Sequence, residues 1–367
     1  MKSISLKIAL IFASFILLIP QTKAQNFSKI DTWLKTHTDV MGGRLYLIVY
    51  KDGKVVYSHA ENDLNLNNKA TINYFSRLQG KNADLGNYTA DTKQQIASCS
   101  KWLSAALIMT FIDEGKLKLT DSVGKFLPAL TKAGKGKITI SQCLSHLTAI
   151  KAPSLMESLN QMKTNNSMDD AINQIAALPM EGSPGKVFRY SNVGLQIAGA
   201  VIEKISGKIF ESLFAERIAK PLNMKNTDFG HGKVALPAGG ASSTPTDYIN
   251  FLTMILNKGL FNGKRILSEN SIKEMQINRL TTDVRITHTP AEAGGFGYGF
   301  GEWIMDGAAD GNSNHSISSP GLFGSFPWVN NQNKTAGFLM AFHLNNKGRN
   351  EYYLELKNLV NEALRQN

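Results

Sequence analysis

The 367 residues are 43% hydrophobic and 19% charged, an ordinary balance for a soluble globular protein and enough chain for one large domain or two smaller ones. The formal charge of +11 is scattered without a dense basic run, which argues against nucleic acid as a partner; plain solubility explains it more simply than an anionic envelope surface or a carboxylate substrate. The two cysteines, Cys99 and Cys143, lack the paired spacing of a zinc site, so no metal is expected.

In chain order, Lys2 and Lys7 lead an apolar run from Ile8 to Pro20, followed by Thr22-Lys23-Ala24. This reads as a secretory signal peptide over residues 1–24, cleaved after Ala24. The run is too short for a stable membrane span, and a retained anchor is the weaker alternative. Cleavage would remove three lysines and leave 37 basic against 29 acidic residues, a net +8. The expected location is the periplasm or the medium. An oxidising compartment permits a Cys99–Cys143 disulfide, but the apolar setting of Cys99 favours two buried thiols.

Residues 27 to about 40 follow a helical period, with Ile30, Trp33 and Leu34 on one face. Arg44–Tyr50 and Val55–Ala60 flank Asp52-Gly53, a strong hairpin signal. Residues 61–92 are polar and Asn-rich and read as a long surface excursion. From Ile96 the pattern turns helical, and Trp102–Ile112 is apolar all round, which predicts a buried helix capped near Glu114-Gly115. Further helices are expected near 138–148, 168–177, 192–206, 208–219 and 242–256, and a final one over 351–364. Phe296–Met305 and the segments 322–329 and 335–343 read as strands. One sheet would thus draw on both chain ends, with helices inserted between them and a site in the cleft between the two parts.

Three motifs could carry chemistry. Ser98-Cys99-Ser100-Lys101 opens the buried helix. Residues three apart share a helical face, so Lys101 can reach the Ser98 hydroxyl, and burial would lower its pKa and make it a base. The tetrad alone is expected about once by chance in a chain this size. In Tyr190-Ser191-Asn192 an extended backbone would point Tyr190 and Asn192 the same way, a proton relay beside an orienting amide. Tyr248-Ile249-Asn250 has the same spacing but lies in a helical pattern, where residues two apart diverge, so it is set aside. Ser319-Pro320-Gly321-Leu322-Phe323-Gly324-Ser325 precedes a strand. Its glycines would let a substrate lie against a strand edge, and the backbone N–H groups of Leu322 and Ser98 could form an oxyanion hole. A glycine-rich hairpin corner is the plainer reading of that stretch. Asp113-Glu114 reads as a solvated helix end, and Gly295, Gly297, Gly299 and Gly301 as a closely packed strand; no phosphate loop is formed there.

These motifs, in this order, resemble the serine beta-lactamase-related family, the group of class C beta-lactamases, D-Ala-D-Ala carboxypeptidases and family VIII esterases. The resemblance extends through IASCSKWLSAALIMTFIDEGKLKLTDSVGKFLP, ITISQCLSHLTAI, PGKVFRYSNVGLQIAGAVIEKISGK, PLNMKNTDFG and GGASSTPTDYINFLTMILNKG. It covers nearly all of the chain after residue 24 and is weakest over 61–90 and 279–295. It implies an α/β (α+β) fold: an antiparallel sheet flanked by N- and C-terminal helices (25–95 and 236–367) plus an all-helical domain (96–235). It implies Ser98 as the acylated nucleophile, Lys101 as base and Tyr190 as partner base and acid. Asn192 would orient, Ser319 and Gly321 would face the substrate, and Ser98 and Leu322 would supply the oxyanion hole. His146 looks like a structural histidine of the family.

The third motif of the family begins with Lys or His, and here Ser319 stands in its place. A cation there would hold a substrate carboxylate, so its loss ranks esters and amides first, D-amino-acid peptides second and beta-lactams third. His315, four residues upstream, either compensates or is an ordinary loop histidine, the favoured reading. No cofactor is expected, and the partner is a small-molecule or peptide substrate. The alternatives are a non-catalytic envelope binding or sensing protein on the same fold, and a transacylase using the same residues.

Overall fold

A computed structural model describes residues 26–365 except 79, 81, 231, 294, 306–315 and 346; the expected signal segment 1–24 and His315 lie outside the described residues. The helices are α1 (Ser28–His37), α2 (Leu66–Leu78), α3 (Ser100–Asp113), α4 (Pro128–Lys132), α5 (Ile140–Leu144) and α6 (Leu155–Thr164), then α7 (Met168–Ala177), α8 (Val193–Ser206), α9 (Phe210–Phe214), α10 (Pro245–Leu256), α11 (Glu269–Met275) and α12 (Arg349–Arg365). The main sheet has seven strands: β1 (Arg44–Lys51), β2 (Lys54–Asn62), β3 (Gly297–Tyr298), β4 (Trp303–Ile304), β5 (Ser316–Ser318), β6 (Phe326–Asn330) and β7 (Thr335–Ala341). Their order is β2-β1-β7-β6-β5-β4-β3, antiparallel throughout.

The hairpin β1–β2 turns at Asp52 (φ 49°) and Gly53 (φ 86°), two successive left-handed residues that match the twist of the strands they join. β1 is apolar without alternation because both its faces are covered. Leu45, Leu47 and Val49 pack with Ile30, Trp33 and Leu34 of α1 and with Tyr353, Leu356 and Val360 of α12. Tyr46 and Ile48 point the other way, into the core shared with α3 and α10. β7 divides likewise: Leu339 and Ala341 on one face, Phe338 and Met340 on the other. Gly337 is required between them, since a Cβ there would lie 2.1 Å from Cζ2 of Trp328.

The helices between the two halves of the sheet have legible starts. Thr139 and Gln142 form a capping box on α5, and Ser167 and Asp170 form one on α7. The Thr244 hydroxyl accepts the Asp247 N–H at 3.1 Å with Pro245 at the first helical position of α10. α3 is buried from Ser100 to Phe111 and runs through the middle of the larger core. Among the described residues no helix is long and apolar enough to cross a membrane.

Several expectations change. The stretch 61–92 contains α2, which buries only Ile72 and so carries almost no apolar stripe. Phe296–Met305 is two short strands folded back on each other, Tyr298 opposite Trp303, turning at Gly301 (φ 75°). Residues 322–325 are a turn, and that strand begins at Phe326. The helix expected near 138–148 stops at Leu144, ahead of left-handed His146 (φ 58°). Cys99 and Cys143 are free, buried thiols.

Candidate active site

Ser98 sits in a single 3-10 turn, Ala97–Cys99, that feeds directly into α3. Its predecessor Ala97 holds φ 45°, a left-handed conformation that costs a non-glycine residue of order 1 kcal/mol or more and persists only under constraint. The constraints are visible. The Ile96 N–H donates to Ala241 O at 3.0 Å, and the Ser100 hydroxyl donates to Ala97 O at 2.5 Å while accepting the Ala241 N–H at 3.0 Å. The Tyr248 hydroxyl donates to Cys99 O at 2.9 Å. Tyr248, set aside as a proton relay, is a buried clamp on the turn, and Asn250 caps a backbone carbonyl, Leu222 O, at 3.1 Å.

Lys101 lies one helical turn after Ser98 and is only 1% exposed. Its Nζ is 3.2 Å from Ser98 Oγ and donates to Ala238 O at 2.7 Å. No carboxylate pairs with it among the described residues. Burial therefore dominates, with only Cys99 opposing it, and the amine is brought down from 10.5 to about 7. A lysine in that state is substantially neutral near neutral pH, so its lone pair can take the serine proton.

The same ammonium lies 4.7 Å from the ring centre of Tyr190. Tyr190 is placed by the short strand Val187–Arg189 and by its N–H, which donates to His288 O at 3.0 Å. Its ring is boxed by His146 at 4.7 Å and Trp303 at 5.1 Å. His146 is buried, with Nε2 3.0 Å from the Tyr298 hydroxyl; burial and the nearby Lys101 charge push its pKa well down, so it stays neutral and acts as part of the box. Asn192 is the residue before α8, half-buried, and its side chain caps nothing.

The third loop crosses the Ser98 turn. Gly321 fits there because a Cβ would fall 2.4 Å from Ile96 O and 3.2 Å from Cys99 Sγ. Its N–H is committed to Ser325 O at 2.8 Å. Ser319 is buried, its hydroxyl 2.9 Å from Gly301 O and 3.2 Å from Ser98 O. Ser319 thus fastens the loop to the nucleophile turn, and Gly321 lets the loop pass close against it. Leu322 is exposed, and its N–H has no partner among the described residues, as an oxyanion donor requires.

Two supports have no sequence signal. One is Ala238 O, a backbone atom that anchors Lys101. The other is Arg349, buried at the start of α12, which donates to Leu322 O at 2.9 Å and to His343 O at 2.7 Å and so holds the loop from behind. Glu302 is also unforeseen: fully buried on the β3–β4 turn, with neither carboxyl oxygen in a well-formed hydrogen bond and the Trp102 indole as its polar neighbour.

The comparisons with known proteins agree with this architecture. A solved structure of a candidate beta-lactamase from Bacteroides dorei is 28% identical, covers 93% of this chain and 99% of its own, and superposes with a TM-score of 0.76. The structure of EstCE1, a hydrolase with promiscuous acyltransferase activity, shares the fold at 18% identity and a TM-score of 0.70, covering 91% of this chain and 98% of its own. The Mycobacterium tuberculosis protein Rv1367c is 24% identical over 291 residues, 65% of this chain and 72% of that protein. The Beta-lactamase family model matches residues 39–364, and the chain belongs to that family of serine hydrolases.

Proposed function

We propose that the protein is an acyl-enzyme hydrolase that cleaves a small ester or amide through Ser98. The reading is carried by one observation: a buried, carboxylate-free Lys101 amine, brought down to about 7, lies 3.2 Å from Ser98 Oγ. The neutral amine takes the hydroxyl proton as Oγ bonds to the substrate carbonyl carbon. The oxyanion lies against the N–H groups of Ser98 and Leu322. The leaving oxygen or nitrogen takes the Tyr190 hydroxyl proton, which the Lys101 ammonium replaces, so that the amine is neutral again to take a proton from the water that attacks next and return it to Ser98 Oγ; Asn192 orients the substrate. Water then attacks the acyl-enzyme and restores Ser98. No step in this scheme needs a metal or an organic cofactor.

Esters and amides rank above D-amino-acid peptides, and those above beta-lactams. The support is Ser319, which brings no cation to the position where a substrate carboxylate would be held and turns its hydroxyl to the backbone. We further propose that residues 1–24 direct export and that residues 25–95 and 236–367 form the sheet domain around a helical domain, 96–235. Intact-protein mass spectrometry with a fluorophosphonate and with a penicillin tests the reading. Wild type is expected to gain one fluorophosphonate adduct that Ser98→Ala does not. A folded wild type that neither reagent labels would place the protein among non-catalytic binding proteins of this fold.

A further inference from the structure

Next to Asn192, between α7, α8 and the loop before α7, lies a cavity of about 50 Å3. Ile175, Leu178 and Val193 give it apolar walls, and four carboxamides line it as well: Asn165, Gln174, Asn192 and, one turn further along α8, Gln196. Gln196 and Asn165 are 4% and 6% exposed, and each keeps an amide oxygen buried with no hydrogen bond among the described residues. The Gln196 amide cannot simply turn over, because its Nε2 donates to Ala235 O at 3.0 Å. What remains unpaired there is an acceptor. Buried acceptors are satisfied in nearly all folded proteins, so two of them at one cavity describe the group that belongs in it.

That group must be a donor. A carboxylate would set acceptor against acceptor. An ammonium would be stripped of water without an opposing charge, since no described lining residue is ionisable. The space admits a small group of a few heavy atoms. We propose that this cavity is a substrate subsite that takes an uncharged hydrogen-bond donor, a carboxamide N–H or a hydroxyl, at the end of a short aliphatic arm. The assignment rests on the hydrolase reading above: Asn192 would belong to both the reacting centre and the mouth of the subsite.

The test pairs molecules of equal shape. In Ser98→Ala protein, methyl NMR signals of Ile175, Leu178 and Val193 are followed on titration with butyramide, 2-pentanone, butylammonium and butyrate. Butyramide is expected to shift them at a concentration at least ~10-fold lower than the other three, the discrimination a buried acceptor gives against an analogue lacking the donor. In wild type, kcat/KM is measured for 4-nitrophenyl esters whose acyl chains of three to six carbons end in a carboxamide or in a methyl ketone. At one chain length the carboxamide is expected to lead by ~10-fold or more, and Gln196→Leu is expected to bring that ratio close to one. Equal turnover of every pair overturns the subsite whether or not butyramide binds, and leaves the hydrolase reading standing. Selective butyramide binding with no turnover of any ester overturns the hydrolase reading and with it the cavity's role as a substrate subsite, leaving only a donor-binding cavity. Neither binding nor turnover, with only ordered water in the cavity, overturns both.

Discussion

Replacing Lys101 by Met separates the cost of a buried amine from its use. The amine is brought from 10.5 to about 7 by burial, which opposes its charged form. At 1.36 kcal/mol per pKa unit, this is about 5 kcal/mol of stability that the wild type holds above pH 10.5 and loses as pH falls to 7. The sign follows from proton counting: between those values the unfolded lysine keeps its proton and the folded one has released it, so stability rises with pH. Methionine fills a similar volume and titrates nowhere. Its own cost is the orphaned Ala238 carbonyl, about 1–3 kcal/mol. Burial wins, so Lys101→Met is expected to be the more stable protein at pH 6, by roughly 2–4 kcal/mol, and to be inactive. Urea unfolding of both proteins at pH 6, 7, 8 and 9 measures the difference, in which every other titrating group cancels. From pH 7 to 9 the wild type should gain on the variant by about 2 kcal/mol. Parallel profiles would refute the argument, because a lysine of ordinary pKa has nothing to release in that range.

The same titration should govern the chemistry: kcat/KM is expected to rise through a single ionisation near pH 7, seen in a pH–rate profile on a neutral ester, as Lys101 becomes neutral. Gly321→Ala drives a Cβ to within 2.4 Å of Ile96 O, lifting the loop from the Ser98 turn; kcat/KM is expected to fall by on the order of 100-fold while circular dichroism stays unchanged. Burial raises the Glu302 carboxyl well above its ordinary range, so its protonated form is favoured and stability is lost as pH rises past the unfolded value. Glu302→Gln should therefore gain on wild type with rising pH, by about 1–3 kcal/mol in urea unfolding at pH 8. The native protein should leave a thiol reagent such as DTNB unreacted, and release two thiols when denatured, since burial pushes both Cys99 and Cys143 up.

What the chain reveals before folding depends on how local the cause is. Asp52-Gly53 specifies its turn by two residues' freedom at positive φ, and α3 announces itself by the length of its apolar run. The Ser98–Lys101 proximity follows from helical spacing alone. α2 stayed hidden because a helix that buries one side chain leaves no apolar stripe to read. The β3–β4 pair stayed hidden because alternating glycines mark close approach equally in one long strand or in two short ones: Gly299 is pressed to Met275 O and Gly301 to Lys101 O. Ser319 is placed by its spacing in the motif, but the direction of its hydroxyl depends on Gly301 and Ser98 carbonyls that no pattern displays. Arg349 acts across the fold on Leu322, 27 residues away along the chain.

The pairing of β1 with β7 sets Leu45 opposite Ala341, so two strands near the centre of the sheet come from opposite ends of the chain. Until β7 is synthesised, a nascent chain carries an N-terminal hairpin with one apolar edge unpaired and no means of satisfying it internally. Closing so large a loop is entropically slow, and contacts this distant in sequence retard folding more than they affect final stability. The sheet can therefore close only once β7 is available to pair. A chain that cannot complete its core before its last strand arrives remains available, for that interval, to chaperones and to any machinery that needs it unfolded.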